Sequence, residues 1–210
     1  FSTYVSLGIE FSGILHSVYL VQIIFSKITG NPIDSKEPPR NAIQNLFFWA
    51  RVLISCAALG YAFAVTLAAL FQGKTTMWAG VPGFVSVIIL FILMCFVGMM
   101  EGMQIALFAV LNMPEEELKQ HAMAYKSCQL TFRGDNLQAF LIGRQTCVTF
   151  CMFVVARITS LNIAAGDATI FGVSQGLQTF FNTGLLGALI TTIVGSLAWR
   201  IIASSFSLAF

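Results

Sequence analysis

Five stretches of this chain stay apolar for about 20 residues or more, and a soluble fold has no place to bury that many such helices. They run over about 1–25, 44–71, 81–110, 137–161 and 178–203. The hydrocarbon core of a bilayer is about 30 Å thick and is crossed by about 20 apolar residues in a helix. Backbone groups in lipid must be satisfied within the segment, so the spans are expected as helices. The short alternating segments of a transmembrane barrel are absent from the sequence. Composition agrees: 57% of the 210 residues are hydrophobic and 10% are charged, against about a quarter charged in soluble domains. The expected fold is therefore an all-α polytopic membrane protein, with five transmembrane helices in a single transmembrane domain over 1–210. A net charge of +2 with no basic cluster gives no reason to expect a nucleic-acid partner. The chain begins at Phe1 without an initiator methionine, a basic n-region or a small-residue cleavage site, and is expected to be a fragment without a signal peptide.

The connections orient the spans. SKITGNPIDSKEPPR carries Lys27, Lys36 and Arg40, and NMPEEELKQHAMAYKSCQLTFRGDN carries Lys119, Lys126 and Arg133. QGKTTMWAG holds only Lys74, and the loop after the fourth span holds no basic residue. Basic loops stay cytoplasmic, so the chain is expected to start outside and, after five spans, to end inside near Arg200. Trp49, Trp78 and Trp199 fall near the expected interfaces, where indoles are favoured. Pro114 followed by three glutamates reads as the start of a solvated helix. Cys56, Cys95, Cys128, Cys147 and Cys151 form no CxxC or Cys/His zinc pattern and read as small apolar packers. No metal site, cofactor or nucleophile–base arrangement is visible, and an enzyme is the least expected class.

Ionisable residues inside the spans cost a few kcal/mol each at the bilayer centre, so they normally face a cavity or a partner. They are Glu10, His16, Arg51, Glu101, Arg144 and Arg157. Glu101 and Gln104, three apart, project from one helix face, and Gly98 and Gly102 bracket Glu101 at GxxxG spacing, which admits a close helix neighbour. Counting about 1.5 Å per residue, Glu101 and Arg144 lie about 16 and 12 Å from the cytoplasmic side, and Arg51 about 15 Å or less. A glutamate between two arginines stays ionised in a low dielectric. Two readings stand here: a site where carboxylate and amide are presented together, or a structural ion-pair network tying three helices. Glu10 and Arg157 are placed as a weaker outer pair, and Arg157 has snorkelling as its alternative. His16 is expected as a hydrogen-bonded packing residue. In the fifth span Asn182, Thr183, Thr191 and Thr192 offer neutral oxygens that suit sodium, beside Gly184 and Gly187, which loosen the helix. Interhelical hydrogen bonding is the plainer reading of those side chains.

EGMQ (Glu101 to Gln104) and GRQ (Gly143 to Gln145) resemble the EGxQ and GRQ motif pair of the diatom-type silicon transporters. The order, the spacing across one loop and the surrounding sequence carry the likeness: IEFSGILHSVYLVQIIF, IQNLFFWARVL, EGMQIALFAV and NLQAFLIGRQ. It covers essentially the whole chain. The resemblance implies a ten-span protein of two inverted five-span repeats, of which this chain is similar to the second; the first repeat is then a missing partner. It implies sodium-coupled uptake of orthosilicic acid for biosilicification, at the cell surface or an internal vesicle. The substrate contacts are expected from Glu101, Gln104, Arg144 and Gln145 of these motifs, with Gly102 and Gly143 making room; sodium, the coupling ion the resemblance implies, is expected at Asn182 and Thr183, whose neutral oxygens suit it. Orthosilicic acid is a small tetrahydroxide, so recognition rests on hydrogen bonds. Glutamate accepts, arginine donates and glutamine does both. A passive metalloid channel and a non-transporting membrane sensor or assembly protein are the competing classes. The lone Asn31-Pro32, followed by Ile33, counts against a channel of the aquaporin kind. Re-entrant turns are the alternative geometry for the motif segments.

Overall fold

A computed structural model describes residues 2–30, 41–78, 80–111, 113–164, 166–208 and 210. Among the described residues the regular structure is helical, apart from one isolated bridge between Thr75 and Leu161. Among the described residues, four helices are long and apolar enough to cross a membrane: α3 (Ala42–Phe71), α4 (Gly83–Leu111), α7 (Asn136–Thr159) and the compound helix over Leu185–Ser205. These are the second to fifth expected spans.

The first expected span is not one helix. It is divided into α1 (Ser2–Ser12) and α2 (Ser17–Thr29). Gly13, at φ 75°, takes the left-handed conformation that closes α1. The alkyl chain of Arg51 lies on it so closely that a Cβ at Gly13 would stand 2.9 Å from Arg51 Cγ. Ser55 of α3 then satisfies the opened backbone. Its hydroxyl accepts from the Ser17 N–H at 2.9 Å and donates to the Ile14 carbonyl. A break in an apolar helix is tolerated where such a side chain takes over the freed groups. His16 is buried against the rings of Tyr19 and Phe48, at centroid distances of 5.4 and 6.1 Å, as a packing histidine should be.

The fifth expected span is also interrupted. α8 (Gln175–Asn182) stops at Thr183, and Gly184, at φ 79°, turns the chain into α9 (Leu185–Ile190). A π-helical stretch over Thr191–Leu197 joins α9 to α10 (Ala198–Ser205) without a gap. The loop between the third and fourth spans holds α5 (Glu115–Lys119) and α6 (Ala122–Thr131). Pro114 precedes α5 as expected, and Lys119 reaches back to Glu115 at 2.9 Å, which holds the Glu115 carboxyl below its usual range.

Packing is concentrated at the end of the bundle that carries Lys74. There Val65, Ala69 and Leu70 of α3, Leu90 of α4, Ile158 of α7 and Ile190 of α9 form one buried cluster, with Ile163 and Ile170 of the connecting loop dropped into it. Polar ties hold that loop down. Thr76 N–H donates to the Ser160 carbonyl at 3.0 Å, Asn162 N–H to the Lys74 carbonyl at 2.9 Å, and Lys74 Nζ to the Ala168 carbonyl at 2.6 Å. Large apolar side chains elsewhere face outward, as lipid-facing helices require; the span window of α7 is only 11% buried.

Candidate functional site

α4 and the last compound helix run in the same direction in close contact, and glycines set their register. Gly195 faces the Met94 side chain, Gly98 faces the Trp199 indole and Gly102 faces the Phe210 ring. A Cβ at Gly98 or Gly102 would overlap those rings. The GxxxG of α4 is thus a seat for two aromatic rings, 6.3 Å apart in a T-shaped pair. Phe210 thus occupies the space beside Gly102, where the family resemblance implied room for substrate. Gly143 has nothing within 4 Å of where its Cβ would stand.

The same register carries Arg200 of α10 to Glu101 of α4. Glu101 Oε2 accepts from Arg200 Nε at 3.1 Å and also from Arg200 Nη2. Glu101 Oε1 accepts from Arg144 Nη1 of α7 at 3.1 Å. Arg144 Nη2 donates in turn to Gln145 Oε1 at 3.2 Å. The Arg144 and Glu101 side chains are 9% and 12% exposed, and that of Arg200 is 46% exposed. One carboxylate between two guanidinium groups leaves the cluster with one excess positive charge. The buried Nε–H of Arg144 has no acceptor among the described residues.

Glu101 was expected between two arginines, and it is, but the second is Arg200 and not Arg51. Arg51 lies at the α1–α2 break with its guanidinium carbon 5.9 Å from the centre of the Phe11 ring. Depth along a helix was a fair guide to which charges share a layer, but it carries no information on azimuth. The π-helical turn is what sequence reasoning missed. Inserting i→i+5 spacing before α10 rotates everything after it relative to a continuous α-helix, and no residue type announces that. The sequence assigns Arg200 only to the inner end of the last span. Trp199, expected at an interface, packs inside the α4–α10 contact.

Beside this cluster is an open hollow of about 520 Å³, lined by Glu101, Gln104, Ile105, Phe108, Ala109 and Arg200. Gln104 lies on its wall with its amide unengaged among the described residues. Arg144 and Gln145 adjoin it through Glu101 without lining it. A second hollow of about 390 Å³ lies between α4, α6 and the chain's end, but Met103, Leu107, Val110, Met123 and Leu130 give it an apolar wall and no charge.

The remaining sites stand apart. Asn182 and Thr183 are at the α8–α9 break and do not line the hollow. Asn182 Nδ2 donates to the Ile163 carbonyl at 2.8 Å, Asn182 Oδ1 accepts from Gln178 Nε2 at 3.2 Å, and Thr183 Oγ1 donates to the Phe180 carbonyl at 2.7 Å. Thr191 Oγ1 donates to the Ala188 carbonyl at 3.0 Å. Arg157 lies over the Trp78 ring at 5.6 Å. The Glu10 side chain, Lys36, Arg40 and Asn31-Pro32 lie outside the described residues. No group of three or more metal-ligating side chains occurs among the described residues.

A family model described as silicon transporter matches residues 1–210. The chain belongs to the silicon transporter family. No curated protein and no solved structure matches it. Membership of a transporter family, together with four apolar helices of spanning length, makes this a membrane protein of silicon transport and not a member of an enzyme family.

Proposed function

We propose that this chain is one five-span half of a sodium-coupled secondary active transporter, and that orthosilicic acid is held in the hollow beside Glu101. The observation that carries the reading is the donor and acceptor supply at that hollow. Glu101 offers carboxylate oxygens, Gln104 offers an unengaged amide and Arg200 offers a half-exposed guanidinium. A small tetrahydroxide has no apolar surface to bury, so donors and acceptors in a partly dry site are its only handle. Such a site rejects species lacking the hydroxyls, because its own polar groups would then be left unpaired.

Three features support the transport architecture. The α1–α2 pair covers the length of the first expected span with a break at Gly13–His16, and the fifth expected span breaks at Thr183–Gly184. Discontinuous helices of this kind recur in secondary transporters made of inverted repeats, where unwound backbone serves ions and substrates. Exposed side chains on α7 and the unpacked α1 offer a face for the first repeat of the same protein. With the basic loops expected in the cytoplasm, the hollow lies toward the inner side in this reading. Sodium at the α8–α9 break would use the Asn182 and Thr183 oxygens once their present hydrogen bonds exchange.

The test is uptake of orthosilicic or germanic acid by the intact parent protein in lipid vesicles. Uptake driven by an inward sodium gradient, and lost in Glu101→Gln, is the expected result. Uptake indifferent to sodium would make the protein a passive metalloid channel, and uptake of neither acid would leave a non-transporting membrane partner. Fractionated cell membranes would decide between the plasma membrane and vesicles.

A further inference from the structure

Two of the five cysteines are neighbours in space as well as in sequence. Cys147 and Cys151 are four apart on α7, where side chains lie one above the other on the same face. Both are half-buried and neither is in a disulfide. They continue the line of Arg144: Cys147 is three residues beyond it and Cys151 seven, about 4.5 and 10.5 Å along the helix. That line borders the stripe of Val148, Val155 and Ile158 buried in the bundle. Cys56, Cys95 and Cys128 stand singly on α3, α4 and α6.

We propose that Cys147 and Cys151 form a dithiol site for trivalent arsenicals, next to the Arg144 cluster. Sulfur is a soft ligand and favours soft, thiophilic centres. A pair already held one helical turn apart closes a chelate with little further ordering, which a single thiol cannot do. The reaction is a double exchange at arsenic. Each thiol sulfur forms a bond to arsenic, each of two As–O bonds breaks, and each thiol proton leaves with the departing hydroxide as water. Arsenic stays trivalent, so no oxidant or reductant enters. Arsenous acid is itself a small hydroxylated metalloid and presents the same kind of hydroxyl surface as a silicon acid. Capture at this dithiol does not depend on the transport reading.

The experiment treats the purified intact parent protein with phenylarsine oxide and reads the intact mass. The protein should gain one phenylarsenic group in exchange for two hydrogens at this repeat. The adduct should resist excess monothiol and be removed by dithiothreitol. Cys147→Ser and Cys151→Ser should each abolish the dithiol-reversible adduct, while Cys56→Ser and Cys95→Ser keep it. Peptide mapping of the adduct should place it on the α7 segment even if a serine variant fails to fold. No adduct in the unsubstituted protein, an adduct that persists in Cys147→Ser or Cys151→Ser, or one mapped to another segment would overturn the proposal. A negative uptake assay would leave this mass result untouched, so the two ideas fail separately.

Discussion

The two arms of the Glu101 cluster should differ in strength, and a double-mutant cycle measures each. Glu101 and Arg144 are 12% and 9% exposed. Removing one partner of a pair buried to that degree strands the other charge, at about 3–5 kcal/mol. Arg200 is 46% exposed, so its charge keeps contact with solvent or headgroups when the carboxylate is lost. Pairs of that kind contribute about 0.2–1 kcal/mol. The variants are Glu101→Gln, Arg144→Met and Arg200→Met, with both doubles, in the intact parent protein. Unfolding by SDS in mixed micelles, followed by far-UV circular dichroism, gives the stabilities. A coupling of at least about 2 kcal/mol between 101 and 144, and below about 1 kcal/mol between 101 and 200, follows from the burial. Equal couplings, or a larger one with Arg200, would refute the argument that burial sets the strength of each arm.

Other outcomes follow from the packing. Gly98→Ala drives a methyl into the Trp199 indole and should destabilise by about 1–3 kcal/mol in the same assay, whereas Gly143→Ala, facing open space, should cost less than about 0.5 kcal/mol; the reverse order would contradict the α4–α10 register. Ser55→Ala leaves the Ile14 carbonyl and Ser17 N–H short of a partner at the α1–α2 break and should cost about 1–3 kcal/mol, while Ser55→Thr, which keeps the hydroxyl, should recover part of it. Asn182→Ala frees the Ile163 carbonyl and should speed hydrogen exchange across 161–174; unchanged exchange there would mean the carboxamide is not what holds that loop.

The spans were legible because lipid imposes a length and an apolar composition, and α3, α4 and α7 fall close to where those rules put them. The breaks were less so. Gly13 and Gly184 are visible as glycines, but the partner that satisfies the backbone opened at Gly13 is Ser55 of α3, distant in sequence. The pairing of Glu101 with Arg144 was readable because both motifs stood at similar depth on adjacent spans. Arg200 was not, since its approach depends on the π-helical turn over Thr191–Leu197 and on two aromatic rings seated over glycines. Gly102 shows the limit of small-residue logic: the space beside it is taken by Phe210. Asn182 was noticed as an oxygen donor, yet its amide also ties down a loop through the Ile163 carbonyl, a contact across 19 residues that no local pattern encodes.

Thiol protection in the hollow tests the central claim most directly. Ala109 is small and lines the hollow without entering the charge cluster. Ala109→Cys in the intact parent protein should add a site for a water-soluble methanethiosulfonate reagent beyond those of the unsubstituted protein. Orthosilicic acid should slow labelling at that added site, and sodium should deepen the protection. Labelling at 109 that proceeds at the same rate with and without orthosilicic acid, in a protein that still takes the acid up, would place the substrate elsewhere.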